Sequence, residues 1–280
     1  MKDDISFSFE FFPPRTEVGH IKLKQVREKL NRLGPKYFSV TYGAGGTTRD
    51  NTRDTVLEML AEGLEVAPHL SFGADDEEFI ESLLHTYQEA GIKRLVALRG
   101  DLPPELCDSR LVYANELVEF IRARFGEHFD IAVGCYPEVH PQASGYSEDV
   151  RYLKQKLNAG ADYAVTQYFY NADAYARFLD ECEDQGIDKP IIPGIMPITN
   201  VDNLVRFSDM CGAEIPRWLQ KSLADFESGS EDFLRYGEEV VSNLCEQLIE
   251  LGAESFHFYT MNQYEPTANI CANLGLLEQV

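Results

Sequence analysis

Glu10 is the one ionisable side chain in an aromatic run. In FSFEFFPPRTE (7–17) it lies between Phe9 and Phe11, and Pro13 and Pro14 close the stretch. Alternation puts Phe7, Phe9 and Phe11 on one face of a strand and Ser6, Ser8 and Glu10 on the other. The prolines cannot donate to a ladder, so the strand stops there and Glu10 sits at its C-terminal tip. Comparable places further along carry Thr41, His69, Arg99, Asp101, Tyr136, His140 and Gln167. Each also has a plain structural reading. Strand-end carboxylates cap helices or pair with arginine, His69 after Pro68 suits a satisfied core histidine, and Gln167 suits a loop-backbone partner. GAGGTT (43–48) reads as a turn, and His257 and Tyr259 read as packing residues.

The residue types narrow the chemistry. Glu10, His69, Asp101 and His140 are a conceivable mononuclear metal set, but the carboxylates come singly and there is no H-x-H or H-E-x-x-H pair. No strand tip offers a lysine for a Schiff base, and no G-x-S-x-G elbow is present. Acid chemistry by an isolated glutamate remains, with neutral donors and aromatic surfaces around it. Such a set suits a flat, electron-rich cofactor and a heteroaromatic substrate.

The elements that must position these residues form a regular series. Short β-rich runs fall at 5–12, 37–43, 64–70, 94–101, 130–137, 163–170, 190–197 and 255–262. Segments with apolar residues at i, i+3 and i+4, such as DEEFIESLLHTYQEAG and VYANELVEFIRARFG, separate them. Gly34, Gly91, Gly126, Gly160, Gly186 and Gly252 stand where helices should end. A tip about every thirty residues is the length of a βα unit, so the expected fold is α/β, a (β/α)8 TIM barrel. The longer last gap has room for extra helix in NVDNLVRFSDMCG and PRWLQKSLADFE. A doubly wound open sheet is the alternative, but GAGGTT has Thr48 where its dinucleotide fingerprint needs Gly or Ala. One barrel over residues 1–280 is the expected organisation, since neither an internal repeat nor a Pro/Gly/Ser-rich linker interrupts the chain.

Composition sets the context. A net charge of −22 disfavours nucleic acid as a partner. Six scattered cysteines without a C-x-x-C motif point to reduced thiols and a cytoplasmic location. There is no apolar run long enough for a membrane span, and MKDDIS has no signal-peptide character.

The motifs SFEFFPPRTE, VTYGAGG, APHL, LRGDLPP, YPEVHPQA, GADYAVTQYFYN, IIPGIMPITN and FHFYTMNQ, in this order over residues 6 to about 263, resemble the methylenetetrahydrofolate reductases. The resemblance implies a catalytic barrel with non-covalent FAD. A reduced nicotinamide, NADH in preference to NADPH, would reduce the flavin and leave. Methylenetetrahydrofolate would then be reduced to 5-methyltetrahydrofolate, which feeds methionine synthesis. A methylene between two amine nitrogens is a poor electrophile, so protonation at N10 must first open the ring to an N5 iminium. Glu10 matches the family's general acid, and partial desolvation by aromatics is expected to raise its pKa toward neutrality.

By the same resemblance Asp101 lies near flavin and pterin and stabilises the cation. Gln167 bonds the pterin, Thr41 touches both ligands, and Phe207 stacks on substrate or nicotinamide. Tyr42, Ala44, His69, Arg99, Gly100, Tyr113, Ala114, Tyr136, His140, Asp149 and Lys156 match FAD positions, with Arg99 and Lys156 facing the pyrophosphate. Two substrate positions depart from relatives: Asn203 replaces a glutamine, and Gln263 replaces an arginine expected to hold the folate's glutamate tail. The chain ends soon after the eighth unit, so no regulatory domain binding S-adenosylmethionine is expected. Partners are then the folate and NAD(P)H, with a homo-oligomer as the expected assembly. Two other readings stand beside this one. One is a flavin barrel of the proline dehydrogenase type; the other is a flavin- or folate-binding subunit reduced only through a partner protein.

Overall fold

The computed structural model describes residues 5–42, 49–72, 76–100 and 113–276. Strand β1 (Ser6–Phe11) is followed by α1 (Glu17–Asn31), β2 (Phe38–Val40), α2 (Arg49–Ala61), β3 (Val66–Leu70) and α3 (Glu77–Ala90). Then come β4 (Arg94–Ala97), α4 (Ala114–Phe125), β5 (Asp130–Cys135), α5 (Tyr146–Asn158), β6 (Tyr163–Thr166) and α6 (Ala172–Asp184). The series ends with β7 (Ile191–Ile192), β8 (Gly194–Ile195), α7 (Val201–Cys211), α8 (Arg217–Leu223), α9 (Glu231–Glu250), β9 (Ser255–Tyr259) and α10 (Glu265–Asn273). Every described strand pair is parallel, in the order β7-β6-β5-β4-β3-β2-β1-β9-β8.

The two ends of that order are consecutive in the chain, and this makes the sheet a barrel. The expected single strand at 190–197 is two short pieces, because Pro193 interrupts its ladder. Ile191 and Ile192 pair with β6, whereas Gly194 and Ile195 pair with β9. Side chains seal the seam: Gly194 N donates to Thr166 Oγ1 at 2.9 Å and Tyr259 Oη donates to the Thr166 carbonyl at 2.6 Å. A Cβ at Gly194 would lie 2.1 Å from the Thr166 carbonyl oxygen and 2.6 Å from the Tyr259 ring, so only glycine fits. Eight strand positions therefore close the circle, as the spacing predicts.

Alternation sorts the side chains. Phe7, Phe9, Phe11, Phe38, Val40, Phe256 and Phe258 point outward into the buried layer between strands and helices. Residues of the opposite parity, Tyr37, Ala67, Val96, Ala132 and Val165, fill the barrel interior. Hydroxyl, carboxylate or amide N-caps begin several helices, with Thr16, Asp76, Asn171, Asn200 and Ser230 each accepting a backbone N–H. Such caps are worth about 1 kcal/mol each. All six glycines expected at helix ends have positive φ, as Gly91 does at 94°. The extra helices of the last gap are α7 and α8, with α9 then returning to β9. No helix among the described residues is long and apolar enough to cross a membrane.

Candidate active site

Strands β1, β2, β3 and β9 bring three polar side chains around one carboxylate. Glu10 Oε2 lies 3.2 Å from His69 Nε2, 3.3 Å from His257 Nε2 and 3.4 Å from Ser39 Oγ. These groups are nearly out of solvent, with side-chain exposures of 12 % for Glu10, 8 % for His69 and 3 % for His257. His257 Nδ1 is in turn 2.6 Å from Ser8 Oγ, and Ser39 Oγ is 3.3 Å from His257 Nε2. Strand register explains the convergence: Ser8 pairs with His257, and Glu10 pairs with both Ser39 and Tyr259. The loop after β9 fixes the backbone. Thr260 Oγ1 donates to the Glu10 carbonyl at 2.7 Å, and the Asn262 amide makes two 2.9 Å bonds to Phe12 N and O.

Sequence reasoning did not assign His257 to this cluster. Its signal is the alternation of SFHFY: Phe256 and Phe258 pack outward, which turns His257 inward beside Ser8. The structure also corrects the expected charge of Glu10. Burial by itself would raise its pKa, but the charge of His69, a hydrogen bond from His257 and the charge of His257 outweigh it and hold the value down at about 2. The expectation counted the phenylalanines, which lie on the opposite face, and missed the imidazoles on the same face. His69 Nε2 is close to the carboxylate but off the line of a proper hydrogen bond, so its contribution is mainly Coulombic.

A second polar group lies along the ends of β4 and β5. Arg99 Nη1 donates to Gln142 Oε1 at 2.6 Å, and its Nε donates to the Gly100 carbonyl at 3.4 Å. Both acceptors are neutral, and no carboxylate pairs with Arg99 among the described residues. Gln142 N donates to His140 Nδ1, and His140 N donates to Asp149 Oδ2 at 2.8 Å. The His140 ring meets Tyr136 edge-on, with centroids 4.6 Å apart. Val139, between Glu138 and His140, has φ 81°, a strained value for a β-branched residue that turns this loop back on itself. Gly100 also has positive φ, and a Cβ there would lie 2.6 Å from Ser71 Oγ. Lys156 Nζ donates to the Gly134 carbonyl at 2.5 Å; burial lowers its pKa while Cys135 and Asp149 push the other way. Tyr113 and Ala114 begin α4, with Tyr113 half exposed.

The remaining candidates scatter more. Thr41 and Tyr42 directly follow β2, and the Thr41 carbonyl accepts from Thr52 Oγ1. Gln167 follows β6, with Oε1 accepting from the backbone N–H of Tyr168 at 3.0 Å. Asn203 and Phe207 share α7 and both meet Arg206, whose Nη2 donates to Asn203 Oδ1 and whose guanidinium lies 4.8 Å from the Phe207 ring. Gln263 is half-buried in the β9–α10 loop. Asp101 and Ala44 lie outside the described residues.

A closed parallel barrel with an acid–imidazole cluster at the C-terminal strand ends is the architecture of an enzyme that builds its site on that rim. The chain belongs to the methylenetetrahydrofolate reductase family, whose profile matches residues 1–275. It is 39 % identical over 278 residues to the 5,10-methylenetetrahydrofolate reductase of Pectobacterium carotovorum, covering 99 % of this chain and 92 % of that one. The Escherichia coli K12 enzyme of that name is 38 % identical, with 99 % and 93 % covered. The Arabidopsis thaliana methylenetetrahydrofolate reductase (NADH) 1 is 37 % identical, and the match spans 98 % of this chain but 49 % of that longer one. Among solved structures, a Clostridium thermocellum protein described as binding two copies of 5-methyl-5,6,7,8-tetrahydrofolic acid superposes with a TM-score of 0.69. At 18 % identity, over 98 % of this chain and 94 % of that one, it supports the fold.

Proposed function

We propose that this chain reduces 5,10-methylenetetrahydrofolate to 5-methyltetrahydrofolate, using bound FAD and a reduced nicotinamide, with NADH preferred to NADPH. Family membership supports folate reduction, and the names of the plant relatives support NADH. The observation that carries the reading is Glu10 at the inward tip of β1, held by two imidazoles and a serine. When bound, FAD supplies the hydride path between nicotinamide and folate. The described residues fit such a dianionic cofactor: among them Arg99 has only neutral partners, and Lys156 adds a second cation in an acidic protein. Tyr136 and His140 offer flat surfaces, and Gly100 lets backbone approach closely.

Glu10 gives a proton to N10 of the folate, which opens the five-membered ring to the N5 iminium that accepts hydride. The carboxylate left behind is then a counter-charge for that cation, a role Asp101 would share. Gln167 would orient the pterin by hydrogen bonding, and Thr41 would touch both ligands. Phe207 would offer a stacking face to substrate or nicotinamide, and Asn203 and Gln263 would meet the folate further out. Because the resting carboxyl is ionised down to about pH 2, the proton it donates is one it first receives from a neighbour. The acid is thus Glu10 together with its imidazoles rather than an isolated carboxyl.

The test follows the visible spectrum of the purified protein, incubated with FAD, under anaerobic conditions. NADH should bleach the flavin band, and methylenetetrahydrofolate should restore it. Glu10→Gln should leave the bleaching within about twofold and slow the restoration by roughly 100-fold or more, the contribution of a general acid. A flavin band that NADH leaves unchanged would point to NADPH or to a partner protein as donor. Restoration at the wild-type rate in Glu10→Gln would make Glu10 structural and overturn the mechanism.

A further inference from the structure

The phenylalanines of the first strand are not alike. Phe7, Phe9 and Phe11 are buried, whereas Phe12, the next residue, is 41 % exposed and belongs to neither buried cluster. A lone exposed apolar residue needs no explanation by itself. What sets Phe12 apart is how firmly it is held. The β1–β9 ladder ends at the pair Glu10–Tyr259. Beyond it, one side chain takes the place of a strand neighbour: Asn262 Oδ1 accepts from Phe12 N, and Asn262 Nδ2 donates to the Phe12 carbonyl, both at 2.9 Å. An N–H and a C=O that meet one amide point the same way, as they do in an extended residue. The alternation of β1 therefore continues through Phe12.

The turn that supplies this amide is strained. Met261 and Asn262 have φ 54° and 56°, two successive non-glycine residues in the left-handed region. Thr260, at the start of the turn, donates from Oγ1 to the Glu10 carbonyl at 2.7 Å and accepts there from Asn262 N at 3.2 Å. One turn therefore fixes Glu10 and Phe12 together. Phe12 stands on the same face as Glu10, two residues or ~7 Å further out along the strand.

We propose that Phe12 is a substrate-binding residue, whose ring packs against the p-aminobenzoyl ring of the folate while Glu10 faces N10. The inference rests on the reading of Glu10 as the acid of the folate half-reaction. The chemistry of the ligand sets the assignment. N10 is bonded directly to the p-aminobenzoyl ring, so a carboxyl within ~3 Å of N10 has that ring beside it. Aromatic rings meet with centroids about 4.5–7 Å apart, and the step from Glu10 to Phe12 spans that distance. The pterin is joined to N10 from the other side and is the part of the folate that Phe12 touches least.

The flavin is a poorer occupant for this ring. Its candidate contacts Arg99, Tyr136 and His140 follow β4 and β5, and β2 and β3 lie between those strands and β1. A ring held in place before the ligand arrives loses little freedom on binding, so little of its contact is offset by ordering. Asn262 touches Phe12 and not the ligand, which makes it a positioning residue.

The experiment is anaerobic equilibrium dialysis of the protein incubated with FAD, against two probes. One is 5-methyltetrahydrofolate; the other is 5,6-dimethyltetrahydropterin, which keeps the reduced pterin and lacks the p-aminobenzoylglutamate. Phe12→Ala should weaken the folate about tenfold and the pterin less than about twofold. Its melting temperature should stay within about 2 °C of wild type, because the ring lies outside the core. Phe12→Tyr should bring folate affinity back to within about twofold of wild type. Asn262→Gly, which keeps the left-handed turn and removes the amide, should weaken the folate in the same direction by a smaller factor. Wild-type folate affinity in Phe12→Ala would overturn the inference and leave the functional reading standing. An equal loss for both probes would also overturn it, because the ring would then meet the pterin. If the wild type itself fails to bind the folate, the functional reading falls, and this inference falls with it.

Discussion

At the scale of single residues, a carboxylate deprived of water behaves according to what shares its face. Glu10 is buried beside two imidazoles, and they hold its pKa at about 2 against the upward effect of burial. A depressed carboxyl stabilises the fold above its unfolded value, here 4.5, and that stabilisation disappears as the pH falls through the folded value. Wild type should therefore lose melting temperature more steeply between pH 4.5 and 2 than Glu10→Gln does, which thermal unfolding in a pH series would show. Parallel curves would mean that the imidazoles do not favour the ionised form. Arg99 has a different test. Its partners among the described residues are neutral, so Arg99→Ala should cost little stability but weaken FAD retention about tenfold, the order of one charge-assisted bond. Equilibrium dialysis measures it, and unchanged retention would remove Arg99 from the cofactor site.

At the scale of elements, the barrel depends on a seam that the ladder does not close. Pro193 breaks the seventh strand, and Thr166, Gly194 and Tyr259 carry the bonds across the gap. Tyr259 is thus a structural residue of the wall, whereas its neighbour His257 faces the acid. Gly194→Ala places a methyl into the Thr166 carbonyl and the Tyr259 ring, a clash that side-chain rotation alone cannot relieve. The expected loss is about 3 kcal/mol or more, read as a fall in melting temperature of several degrees. Retained stability would show that β6 and β8 can separate without cost. The tight turn after β9 matters in a related way: Met261 and Asn262 both have positive φ, and the turn aims the Asn262 amide at Phe12, next to Glu10.

For the whole molecule, charge is the dominant feature. A net charge of −22 on 280 residues means mutual repulsion across the surface. The screening length shrinks from about 30 Å at 0.01 M salt to about 8 Å at 0.15 M. The melting temperature should therefore rise by a few degrees over that range of sodium chloride. A fall would show that ion pairs such as Arg27 with Glu58 and Glu62, or Arg122 with Asp162, outweigh the repulsion. The same field would repel folate and nicotinamide anions from most of the surface, leaving the cations near the rim, Arg99 and Lys156, to favour binding there.

The sequence by itself determined the periodicities and hence the barrel. Phenylalanines at every second residue of 7–11, helical spacing between strands and glycine at six helix ends are local signals, and each sets a local conformation. It also carried the family motifs and the place of Glu10 at a strand tip. Only the tertiary structure decided what surrounds that carboxylate. Ser8 and His257 are 249 positions apart, and no local pattern says which residue of β9 stands opposite which residue of β1. Register sets that, and a shift by one residue would turn His257 outward and leave Glu10 facing aromatics. The protonation state of the acid therefore depends on strand pairing across the closed barrel rather than on the run of residues in which Glu10 stands.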